Sequence, residues 1–222
     1  MAPSSPTWTT VLSGQATITI DAKTPAHSGS KSVHVISPEF QAFFLLSGAP
    51  VFPATSGKLY VRTYIRLALP MTGGHNTYFK AGAADPTVTG HETRVGTMNK
   101  MLMINQPGGA GQGERGFLSN ENYYNDQKPG AQIAPGTWGC VEAFFDPANK
   151  IIDMWLDGKE IPDLHRTDWV QDPLGAFRFG FEKYAGPDSN AGTGGTSGTG
   201  VPAGSTEIWY DDIVVSDHPI GC

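Results

Sequence analysis

The sequence predicts an all-β protein, and three observations carry the prediction: many turn residues, few charges, and apolar residues spaced two apart rather than three or four. Its 222 residues include 28 Gly and 17 Pro, and only 16% are charged. No stretch sustains the apolar stripe of a surface helix. A chain of this length is ample for one large core, and β-sandwiches routinely use it as a single unit. One domain over 1–222 is therefore expected. Residues 1–7 should lie outside it as a disordered or expression-derived tail, and 186–204, a Gly/Ser/Thr run with no apolar anchor before Val201, should be a flexible loop.

The formal net charge of -6 leaves no general basic face for nucleic acid or an anionic membrane, and no apolar run reaches the roughly 20 residues of a membrane span. Neither is an expected partner. Two cysteines, Cys140 and Cys222, suit either one disulfide, which would point to an oxidising compartment, or two buried thiols. Met1 to Pro6 lack the charged start and apolar stretch of a secretory leader, so the sequence reads as a mature form begun with an added Met.

Taken in order, Trp8 to Ile20 alternates loosely and reads as a strand. After the polar turn from Ala26 to Ser32, Val33 to Ile36 resumes a strand on which His34 should face solvent. Gln41 to Ser47 is a continuous apolar run, as expected of a strand covered on both faces, and Pro50 and Pro53 end it. Lys58 to Leu69 alternates most cleanly, with Leu59, Val61, Thr63, Ile65 and Leu67 facing the core and Tyr60, Arg62, Tyr64 and Arg66 facing outward. His75 to Gly82 follows Gly73-Gly74, and a strand opening at His91 should run to about Asn105. Glu114 to Lys128 reads as a long ordered loop, the kind of connection that often carries binding.

Thr137 to Asp146, Lys150 to Leu156 and the residues to Ile161 read as three antiparallel strands. They are broken at Asp146-Pro147-Ala148-Asn149 and at Asp157-Gly158, both strong turn signals. Pro162 to Leu174 crosses over. Phe177, Phe179 and Phe181 then alternate with outward Arg178, Glu182 and Tyr184, and Glu207 to Val215 closes the sheet.

No Ser/His/Asp elbow, phosphate-binding glycine loop or zinc-spaced cluster is present. What remains is a set of outward polar residues: Arg62, Tyr64, His75, Arg94, Lys100, Glu182 and Tyr184. A second candidate is a cation site, because Asp211-Asp212 could meet the Ser28-Gly29-Ser30 turn and hard oxygen ligands suit calcium.

An ordered set of segments resembles the secreted cellulose-induced proteins of biomass-degrading fungi and their bacterial relatives. These are Ala26 to Ser32, Leu59-Tyr60-Val61-Arg62, Cys140-Val141-Glu142, Trp155-Leu156-Asp157-Gly158, Phe179 to Tyr184, Trp209 to Ile213 and Gly221-Cys222. The resemblance covers Trp8 to the end. It implies a concanavalin-like β-jelly roll, two antiparallel sheets with a concave cleft, similar to glucuronan lyases, and an extracellular monomer that meets polysaccharide. It places cleft positions on His75, Arg94 and Tyr184, a disulfide on Cys140 and Cys222, and structural calcium on Ser28, Ser30 and Asp211. One departure is clear: the family opens with an acidic Asp-Phe-Glu segment, and nothing acidic precedes Asp21 here. Tyr78-Phe79-Lys80-Ala81-Gly82 is also similar to an alginate-lyase motif, although there it lies near the C-terminus.

These residue types suit β-elimination from a uronic acid, which needs the carboxylate neutralised and then a base and an acid beside the sugar. Arg94 fits the first role, and His75 and Tyr184 fit the other two. Lys80 or Lys100 could substitute, with Arg62, Tyr64 and Glu182 contacting substrate. The expected function is thus a polysaccharide lyase acting on a glucuronan-like polymer; the alternative is a non-catalytic carbohydrate-binding accessory protein. A glycoside hydrolase would need two cleft carboxylates, for which Glu182 and Glu142 are the candidates.

Overall fold

The structure, a computed structural model, describes residues 8–12, 16–37, 42–46, 52–71, 75–83, 92–98, 100–106, 116–119, 131–171, 173–184 and 205–222. They form two seven-stranded antiparallel sheets. The first runs β1 (Trp8–Leu12), β4 (Ala42–Leu46), β13 (Ala176–Tyr184), β6 (His75–Gly82), β7 (Glu92–Met98), β8 (Met101–Gln106), β9 (Gly116–Ser119). The second runs β12 (Lys159–Glu160), β11 (Ile151–Leu156), β10 (Trp138–Asp146), β5 (Leu59–Leu67), β14 (Thr206–Ser216), β3 (Ser32–Ser37), β2 (Thr17–Asp21). A 3₁₀ turn at Pro162–Leu164 is the one helical element among the described residues, and no helix there is long and apolar enough to cross a membrane.

The strand alternation decides which groups are buried between the sheets. Leu59, Val61, Ile65 and Leu67 of β5 meet Phe79, Val95, Phe177 and Phe179 of the first sheet in one core. Tyr210 of β14 ties the layers together, its hydroxyl donating to the carbonyls of Tyr78, at 3.2 Å, and Gly180. Gly180 adopts φ 144° inside the bulge between Phe179 and Glu182, a backbone shape that favours glycine. Gly96 has a different reason to be glycine: a Cβ there would lie 1.7 Å from the Asn76 carbonyl oxygen.

The outward set of Tyr60, Arg62, Tyr64 and Arg66 and the three-strand run from Trp138 to Glu160 appear as expected. Three expectations need correction. Trp8 to Ile20 is not one strand: β1 joins the first sheet and β2 the second, because an edge segment this short can change layers between them. The strand expected from His91 to Asn105 is the β7–β8 hairpin, with Lys100 at φ 75° in its turn. The expected loop from Glu114 to Lys128 includes β9, paired to β8; the rest of it, like 1–7 and 186–204, lies outside the described residues.

Candidate functional site

On the first sheet, alternate residues point away from the core, and register lines them up across strands. Arg178, Lys80, Arg94 and Asn105 are direct neighbours on β13, β6, β7 and β8. This row puts three cations side by side, and Glu92, two residues before Arg94 on the same face, holds them together. Its Oε1 accepts from Lys80 Nζ at 3.0 Å and from Arg94 Nε and Nη2 at 3.0 and 2.8 Å, and its Oε2 accepts from Arg178 Nη1 at 3.2 Å. Glu182 adds a second carboxylate, 3.3 Å from Lys80 and 3.7 Å from Arg94. Burial by itself would raise the Glu92 carboxyl, but Lys80 and Arg94 hold it below its ordinary range. The Lys80 ammonium also lies over the Phe43 ring, 4.6 Å from its centroid.

The face is well covered: Arg178 is 3% exposed and Lys80 7%. Cations this buried keep their charge only with anions beside them. Further along, His75 pairs in register with Tyr184 on one side and with Met98 on the other, so β6 and β13 place both positions beyond Lys80 and Glu182.

The structure thus brings His75, Lys80, Arg94, Glu182 and the backbone of Tyr184 into one sheet and separates the rest of the expected set. Lys100 sits in the hairpin turn, its N–H donating to the Met71 carbonyl at 2.8 Å. Arg62 and Tyr64 do not join them, because β5 belongs to the second sheet and its polar residues face the opposite side. There Arg62 donates to the carbonyls of Gly221 and Asp212, and Tyr64 stacks on His27 with centroids 3.4 Å apart. Glu142 is on that same side and accepts N–H bonds from Ile220 and Gly221 at 3.1 and 3.0 Å. It anchors the C-terminal tail beside the Cys140–Cys222 disulfide and is no partner for Glu182.

The turn at Ser28 does reach Asp211. Asp211 Oδ2 accepts from the N–H of His27 and Ser28 at 2.8 and 3.1 Å, and Asp212 accepts from Ser28 Oγ at 2.6 Å and meets His27 Nδ1 at 2.6 Å. The donors suit a carboxylate better than a cation, since backbone N–H groups rather than carbonyls converge on Asp211. Ser28 and Asp211 are therefore close enough to share a ligand, but their present bonds do not form an oxygen cage and do not bring in Ser30. Among the described residues, Asp153, Glu160 and His165 offer ligand atoms within 4.8 Å of one another, a mixed N/O set in which Asp153 is buried and the other two are exposed.

Arg178, Glu92 and Asn105 are the site residues that sequence reasoning left out. The Phe177–Phe181 alternation already placed Arg178 on the face of Glu182, and Glu92 stands two residues from Arg94, which in a strand means the same side. Their convergence depends on which strands are neighbours.

A family model described as polysaccharide lyase-like, Cip1-like core domain, matches residues 4–218. Among solved structures, "Cellulose induced protein, Cip1" superposes with a TM-score of 0.68 at 21% identity, over 97% of this chain and 94% of that one. The fold is shared more widely. The binding domain of botulinum neurotoxin serotype C1 superposes at a TM-score of 0.56 and 10% identity, over 93% of this chain and 44% of that one; a sialidase does so at 0.53 and 12%, over 91% and 17%. No curated protein matches the sequence. With nearly its whole length matched by the family model and the jelly-roll architecture shared with Cip1, this carbohydrate-active chain belongs to the Cip1-like core-domain family of polysaccharide lyase-like proteins.

Proposed function

We propose that the outer face of the first sheet is a polyuronate site and that the protein is a lyase cleaving its substrate by β-elimination. The observation that carries this reading is the cross-strand row Arg178–Lys80–Arg94, with His75 and Tyr184 at paired positions on two of the same strands. Among the described residues three cations gather around Glu92 and Glu182, which is the residue chemistry a substrate carboxylate would need despite the acidic isoelectric point near 5.4.

In the reaction, Arg94 and Lys80 stabilise the charge that builds on the uronate carboxylate when the neighbouring carbon loses its proton. One of His75 and Tyr184 takes that proton; as the bond from the next carbon to the glycosidic oxygen breaks and a double bond forms, the other protonates the departing oxygen. The disulfide and the lack of a membrane-spanning helix among the described residues are compatible with an extracellular setting.

One observation favours the second reading, a binding protein without turnover: the Arg94 guanidinium already lies against Glu92 and Glu182. Incubation with polyglucuronate, alginate and polygalacturonate, followed by the ultraviolet absorbance of unsaturated ends, separates the two. The lyase reading expects unsaturated product, and Arg94→Ala should lower its rate by roughly 10²–10³-fold with folding retained. Binding of a polyuronate with no unsaturated product would replace lyase by binding protein.

A further inference from the structure

The second sheet carries a groove that the proposed reaction does not use. It has a volume of about 480 Å³ and lies on the outer face, across β2, β3, β14 and β5, on the opposite side of the sandwich from Lys80 and Arg94. Its size falls within the roughly 300–1,000 Å³ of small-molecule sites.

Register builds the groove. Thr19, His34, Trp209 and Arg66 are successive neighbours on these four strands. The His34 ring lies parallel to the Trp209 indole with centroids 4.5 Å apart, and Ile36 and the 40%-exposed Ile20 extend this wall. Polar groups frame it on both sides. The indole N–H donates to Asp21 Oδ2 at 2.8 Å, Glu207 Oε1 lies 2.9 Å from His34 Nε2, Arg66 donates to the Gly136 carbonyl, and Lys23 is exposed at the rim.

The charges balance, since Asp21 and Glu207 stand against Lys23 and Arg66. Such a lining gives no net attraction to a polyanion. It does offer what a neutral sugar needs: Asp21, Arg66 and Lys23 for hydroxyls, and a wall of Ile20, Ile36 and the half-buried His34 ring, backed by the buried Trp209 indole, for the C–H faces of the rings. We infer that this groove is a second saccharide site, selective for a neutral oligosaccharide. It would hold the protein to a neutral wall polysaccharide while leaving the other sheet free.

The test follows the Trp209 indole N–H resonance, assigned with Trp209→Phe, while cellohexaose or xylohexaose is titrated into the full chain. A saturable shift is expected with at least one of the two, weakened roughly tenfold by Arg66→Ala and by Lys23→Ala, the scale of one lost charge-assisted hydrogen bond, and unchanged by Arg94→Ala. If Arg66→Ala fails to fold, the exposed Lys23→Ala decides. No shift with either probe overturns the inference, as does an oligoglucuronate that binds the groove as tightly, or a loss of binding in Arg94→Ala. Because every outcome is read as binding at Trp209 and none as unsaturated product, these outcomes are distinct from a failure of the lyase reading.

Discussion

The two outward faces of the sandwich come from the same alternating pattern and reach opposite electrostatic solutions. On the first sheet, Arg178, Lys80 and Arg94 are drawn into one cluster by Glu92 and Glu182, and the cluster is nearly buried. On the second, Arg62, Tyr64 and Glu142 are used one by one, against the Gly221 carbonyl, the His27 ring and the tail amides. An outward charged residue on a strand thus says little about its task until its neighbours are known. On the first sheet side chains from three strands satisfy one another, whereas Arg62 and Glu142 on the second are satisfied by backbone groups of the same chain and clasp its C-terminal tail.

The largest effect expected to test this contrast is on the clasp. Cys140 and Cys222 are 82 residues apart in sequence, and closing a loop of that length restricts the unfolded chain by about 4.5 kcal/mol in the chain-entropy picture. Cys140→Ser with Cys222→Ser should lower stability to denaturant by about that amount while leaving any polyuronate turnover unchanged below the transition. Loss of turnover in a folded double variant would show that the two faces are coupled.

Next in size, Glu92→Gln should cost about 3 kcal/mol, because it removes the carboxylate that buried Lys80 and Arg178 share with Arg94. A denaturation midpoint shifted by less than a third of that would mean that Glu92 does not organise the first-sheet cluster.

The smallest effect concerns Asp21 on the second sheet. Burial raises its carboxyl, but bonds from Lys23, Thr24 and Trp209 bring it down to about 2 from 3.8. A lowered carboxyl stabilises the fold above the unfolded value and loses that contribution as pH falls toward the folded one. Thermal unfolding should therefore show a component between about pH 4 and pH 2 that Asp21→Asn abolishes; an unchanged acid profile would place the contribution elsewhere.

Much of the second sheet is legible in the sequence. Asp157-Gly158 and the Pro147-Asn149 turn, with φ 50° at Asp157 and 59° at Lys150, closed the hairpins around β11, since turn chemistry acts over a few residues. The candidate site was legible only in part. His75, Arg94 and Glu182 stand out one by one, but the pattern groups Arg62 and Tyr64 with them because an outward face in sequence does not say which of two sheets it belongs to. The alternation predicts a solvent-facing His34; it does face outward, yet the Trp209 stack and Glu207 cover it.

By itself, then, the sequence determined the all-β class, the inward and outward sides of the long strands and the positions of the tight turns, all consequences of local backbone preference and a two-residue period. Only the tertiary structure decided that Arg178 of β13, Lys80 of β6 and Glu92 of β7 converge, and that Glu142 serves the C-terminus. Those contacts join residues 12 to 86 positions apart, and strand order rather than local propensity sets them.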